Sequence, residues 1–150
     1  MKILMVAMAT AFVLTAGPAL AAELVTKPSP HSVSVTVDRL VVAVEGAGAK
    51  VFARVDHAGG AKAVGAELRP TEMLMFGNPK LGTPAVQAAQ TSGLDLPLRV
   101  VVYQDQAGQV LLAYHPPSDL AKDHGIPADA EVLKKITGAL NNLTNKAISN

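Results

Sequence analysis

The chain of 150 residues has no cysteine, which excludes disulfides, thiolate metal sites and cysteine nucleophiles in one step. It has no tryptophan and only 3% aromatic residues, so its core has to be built from Val, Leu, Ile and Ala. An excess of one charge is also missing. The 13 basic residues face 12 acidic ones, a balance without the basic footprint that nucleic acid or anionic lipid requires. No Gly-x-Ser-x-Gly, P-loop or dinucleotide fingerprint occurs, so no motif assigns a reaction. Gly46-Ala47-Gly48 is a helix stop in this reading, since both glycines follow an amphipathic stripe.

One long apolar run is present. Met1-Lys2 precedes an almost unbroken hydrophobic stretch from Ile3 to Val13, and Gly17-Pro18-Ala19-Leu20-Ala21 follows. A single positive charge, an apolar stretch of about a dozen residues and small residues at its end predict a secretory signal cleaved after Ala21. The run is shorter than the roughly 20 apolar residues of a spanning helix, and Pro18 also argues against the alternative, an uncleaved anchor. Without Lys2 the two charge types are equal in number. The expected mature chain, residues 22–150, is one exported domain, periplasmic or secreted, with no membrane contact after cleavage. It must be held together by its core alone.

Along that chain Glu23 to Lys27 is a short strand expected to end at Pro28, because proline donates no ladder hydrogen bond. Val37, Leu40, Val41 and Val44 recur at helical spacing, with Ser34 or Thr36 as cap and Asp38 in the first turn. Lys50 to His57 alternates as a half-buried strand, broken by Gly59-Gly60, with one helical turn over Ala61 to Val64. Glu72 to Phe76 is a more continuously apolar strand. In Gly77-Asn78-Pro79, glycine relaxes the backbone, asparagine caps and proline starts a helix. Gly82-Thr83-Pro84 repeats that grammar and predicts a second helix start, stopped by Gly93. Asp95 is expected to accept backbone N–H groups in a tight connection. Leu98 to Tyr103 and Gln109 to Tyr114 form a hairpin through Asp105-Gln106-Ala107-Gly108. After a loop or short helix over Ser118 to His124, Pro127 and Asp129 open a last helix striped by Val132, Leu133, Ile136, Leu140 and Leu143. The fold class this order predicts is α+β: an antiparallel-rich sheet of about five strands with helices packed mainly on one face.

Three segments in this order carry a family resemblance: Val55-Asp56-His57-Ala58; Leu68-Arg69-Pro70 leading to Met75-Phe76-Gly77-Asn78-Pro79-Lys80-Leu81-Gly82-Thr83-Pro84; and Leu94-Asp95-Leu96-Pro97-Leu98. Together they resemble the DUF302 family, a domain of unknown function, over essentially the whole expected mature chain. The resemblance implies a compact α+β fold, a tendency to dimerise and no accepted catalytic activity. Ala85-Val86 stands where a bulkier Leu-Met pair is commoner in the family, which implies a slightly wider pocket at that point.

Candidate sites follow from chemistry and are weighed against plainer roles. Asp56-His57 could do acid/base work if the carboxylate holds the imidazole, but neighbours in a strand point to opposite faces, and either residue could instead fix the following turn. Asn78, Lys80 and Thr83 could bind a small anion at free helix-start N–H groups, and Asp95 joins them as a ligand-binding candidate. The plainer reading is that Asn78 and Thr83 cap those groups themselves. His31, His57, His115 and His124 show no ligand spacing. Met73 and Met75 share a strand face and suit a core. No cofactor or metal is predicted. The expectation is a non-enzymatic module that binds a small ligand or a partner, as a homodimer. The alternatives are a small-substrate hydrolase or isomerase using Asp56 and His57, and a histidine-based metal or haem binder.

Overall fold

A computed structural model describes residues 23–150; the expected signal segment, residues 1–21, lies outside the described residues. The first strand, β1, is Val25–Ser29 and includes Pro28. It continues through the proline because it lies at the sheet edge, where alternate N–H groups have no strand to bond. The helix α1, Val33–Gly46, is capped by Ser32, whose hydroxyl accepts from Val35 N, not by Ser34 or Thr36. Thr36 instead donates to the Ser32 carbonyl at 2.8 Å and bonds the Ser29 hydroxyl at 2.7 Å. Val37, Leu40 and Val44 are buried as their spacing predicts, and Asp38 lies beyond the first turn, where it pairs with Arg54 at 2.6 Å.

Strand β2, Lys50–Asp56, passes directly into α2, His57–Ala63. The Gly59-Gly60 pair lies inside this helix and does not break it, because Asp56 Oδ1 accepts the Gly59 N–H at 2.8 Å and nucleates the first turn. Strand β3 is Thr71–Gly77, and α3, Pro79–Ala88, follows it. A short 3-10 helix, Gln90–Leu94, leads to β4, Leu98–Gln104, and β5, Val110–Tyr114. The hairpin between β4 and β5 is closed by Asp105, whose Oδ1 accepts from Ala107 N and Gln109 N, and by Gly108 at φ +83°. Ser118–His124 is helical, α4, and the last helix, α5, is Glu131–Ile148, so Pro127 and Asp129 precede it.

All strand pairs are antiparallel, in the order β1-β5-β4-β3-β2. The period of two separates the faces. Leu74, Phe76, Val100, Val102, Leu112 and Tyr114 are buried beneath the helical layer, where Leu40 of α1 and Ile136, Leu140 and Leu143 of α5 meet them. On the opposite face Met73 sits between Val55 and Val101, and Met75 between Ala53 and Arg99. Both methionines are only half-buried, so they belong to an open sheet face and not to the core.

Candidate functional site

The Phe76–Pro84 stretch roofs a cavity. Gly77 is not among the glycines with positive φ, and its surroundings leave ordinary van der Waals room for a Cβ. A Cβ there would stand 3.4 Å from Pro97 Cβ and 3.6 Å from the Phe52 ring. Phe52 reaches this point because the register of β2 shifts between Val51 and Ala53, and such a bulge re-aims a side chain. Below these residues lies a cavity of about 280 Å³, walled by Phe76, Leu81, Leu96, Leu98, Ile136 and Ala139 among others. Asn78 and Thr83 are the polar side chains in its lining.

The backbone donors at this rim are already satisfied. Asn78 Oδ1 accepts the Lys80 N–H at 3.0 Å, and the Asn78 carbonyl accepts from Leu81 N and Gly82 N, each at 2.9 Å. Pro79 has no N–H. The first turn of α3 therefore keeps none of these donors free for an anion. The side chain of Lys80 is exposed and does not line the cavity. The predicted second helix start does not form: α3 runs through Gly82-Thr83-Pro84, leaving Thr83 as an exposed helical residue and Pro84 inside the helix. Pro84 removes one backbone bond, to the Lys80 carbonyl. Ala85 is buried in the core and Val86 is half-buried, and neither is among the residues lining this cavity. A cavity walled this way, open on one side to solvent, suits an apolar occupant.

Asp95 makes a different set of contacts from the backbone N–H bonds expected of it. Its Oδ1 accepts from Arg99 Nη2 at 3.0 Å, and its Oδ2 meets His124 Nε2 at 2.7 Å. The other ring nitrogen, His124 Nδ1, lies 3.0 Å from the Thr91 hydroxyl. Only 7% of the His124 side chain is exposed. The sequence names His124 only as one of four histidines and does not show its pairing with Asp95, because 29 residues separate the two and no local pattern marks such a pair.

The remaining candidates do not converge. Asp56 caps α2, a role whose removal costs about 1 kcal/mol, and His57 is exposed at the first helical position. The Asp56 and His57 side chains share no hydrogen bond or ion pair among the described residues. His31 bonds the Ser149 carbonyl at 2.9 Å and His115 lies 3.5 Å from Asp119. Among the described residues no three His, Asp or Glu side chains gather as metal ligands.

Away from the cavity, Lys27 Nζ donates to Thr144 Oγ1 and Asn145 Oδ1, both at 2.8 Å, and to Asn141 Oδ1 at 3.3 Å. Burial holds its pKa below the ordinary lysine value. The neighbouring Tyr114 hydroxyl donates to Asn141 Oδ1 at 3.1 Å, and burial pushes that phenol up.

Residues 25–143 match the family described as domain of unknown function DUF302, and the chain belongs to that family. The crystal structure of an uncharacterized conserved DUF302 protein from Bacillus stearothermophilus shares the fold. Its TM-score is 0.75 at 21% identity, over 85% of this chain and 99% of that one. The chain is also 43% identical, over 117 residues, to the fluoride-specific ion channel FluC 1 of Brucella suis biovar 1 (strain 1330). The match covers 77% of this chain and 46% of that protein. FluC 1 of Brucella abortus biovar 1 (strain 9-941) matches over the same 117 residues at the same identity, with 43% of its length covered. The chain thus spans less than half the length of these relatives. Among the described residues no helix is long and apolar enough to cross a membrane.

Proposed function

We propose that this chain is an exported binding module whose ligand is a small neutral apolar molecule, a single ring or a short hydrocarbon chain, held beneath the Phe76–Pro84 stretch. The observation that carries this reading is the apolar cavity of about 280 Å³. A charged ligand would find no free backbone donor on the first turn of α3, because Asn78 already uses its amide oxygen and carbonyl there, and the Lys80 side chain does not line the cavity. An apolar group gains roughly 25 cal/mol for each Å² it removes from water. The half-buried face carrying Met73, Met75, Val55 and Val101 serves, on this reading, to pair two copies. The channel activity named for the Brucella relatives belongs, on the same reading, to the part of their length that this chain does not match.

The test is calorimetric titration with toluene as the probe. Saturable binding by the wild-type chain, lost in Ala139→Leu, supports the reading. Absence of binding to the folded wild-type chain overturns it.

A further inference from the structure

Beside the cavity, three elements bring a hydroxyl, an imidazole and a carboxylate into one line. Thr91 comes from the 3-10 helix, Asp95 from the turn after it and His124 from the end of α4. The carboxylate can only accept, so the 2.7 Å contact places the imidazole proton on Nε2. The lone pair of a neutral ring is then on Nδ1, facing the Thr91 hydroxyl 3.0 Å away. Arg99 holds the second carboxylate oxygen at 3.0 Å and so fixes the plane of Asp95. Exposure is divided in the sense such chemistry needs: the imidazole is shielded while Thr91 is exposed. A hydroxyl, a base and a group that orients the base, each within hydrogen-bond reach of the next, are the geometric requirement for an activated nucleophile.

We propose that Thr91 is a nucleophile activated by His124, with Asp95 as the positioning residue, and that it accepts acyl groups from small activated esters. Thr91 Oγ bonds to the ester carbonyl carbon while its proton passes to His124 Nδ1. The tetrahedral intermediate collapses, the bond to the leaving alcohol breaks, and that alcohol takes the proton from Nδ1. Water then attacks the Thr91 ester, giving its proton to the same nitrogen, which returns it to Thr91 as the carboxylic acid leaves. The only co-reactants are the ester and water. The chemistry is independent of cavity occupancy, since none of Thr91, His124 and Asp95 lines the cavity.

The test uses p-nitrophenyl acetate with the whole chain, reading nitrophenol release together with peptide mapping by mass spectrometry. Acetylation confined to Thr91 is expected, persisting in Thr91→Ser and abolished in Thr91→Val. His124→Gln is expected to slow release about a hundredfold, the lower range for loss of a general base. Circular dichroism of Thr91→Val and Thr91→Ser shows that the comparison is made on folded chains. Release at the same rate from wild type and Thr91→Val, or acetyl groups found only on lysines, overturns the proposal. Because toluene titration does not involve Thr91, failure here leaves the cavity reading to its own test.

Discussion

Replacing Ala139 by leucine should stabilise the fold and remove ligand binding together. Ala139 is half-buried on α5 and its side chain lines the cavity. The substitution adds roughly 80 Å³ of side chain, and at about 24 cal/mol per Å³ of cavity filled the upper bound is ~2 kcal/mol. Ordering the leucine side chain costs about 0.5–1 kcal/mol, which leaves a gain of roughly 1 kcal/mol. For a domain of this size that gain raises Tm by about 4 °C, measurable by circular dichroism at 222 nm. The same substitution occupies the space a ligand would take, so toluene should no longer raise Tm. A fall in Tm would mean that the walls cannot accept the volume and that the space is narrower than its geometry indicates. A raised Tm with toluene binding intact would mean that the probe binds elsewhere. Either result refutes the assignment.

Three further outcomes are expected. The Ser92 hydroxyl is fully buried with no hydrogen-bond partner among the described residues, so Ser92→Ala should be neutral or stabilising by about 1 kcal/mol in urea denaturation; a loss of more than that would expose a hidden partner. Burial raises the Tyr114 phenol above its ordinary 10.0, so above pH 10 the unfolded chain loses a proton that the folded one keeps and stability falls with rising pH. Lys27, lowered from 10.5, acts in the opposite sense, and Tyr114→Phe should therefore make the slope of stability against pH more positive above pH 10; an unchanged slope refutes the assignment. Finally, Met75→Lys places a charge on the open sheet face and should convert a wild-type dimer to a monomer in sedimentation velocity, whereas a wild-type monomer at tens of micromolar would remove the role given to that face.

Local patterns with a single physical cause were legible. The stripe on α5 buried Leu133, Ile136, Leu140 and Leu143 as spacing requires, and Asp105 with Gly108 closed the predicted hairpin. Asn78-Pro79 started α3. Where two local rules competed, the sequence was ambiguous. Gly59-Gly60 resembles a breaker, yet the Asp56 cap carries a helix across it. Thr83-Pro84 resembles a fresh start, yet α3 is already under way from Asn78 and continues. The site features depended on tertiary placement. The cavity is space left among β3, β4, α3 and α5, and the contact between Thr91 and His124 spans 33 residues. Neither leaves a periodic trace in the chain.

Methyl-resolved NMR of the chain titrated with toluene reads directly whether the cavity beneath Phe76–Pro84 is the site that fills. Saturable shifts are expected at the methyl groups of Leu81, Leu96, Leu98 and Ile136, which line the cavity, with Met73 and Met75 on the other face of the sheet unmoved. Shifts confined to those methionines, or no saturable shift in the cavity methyls, would contradict binding in the cavity.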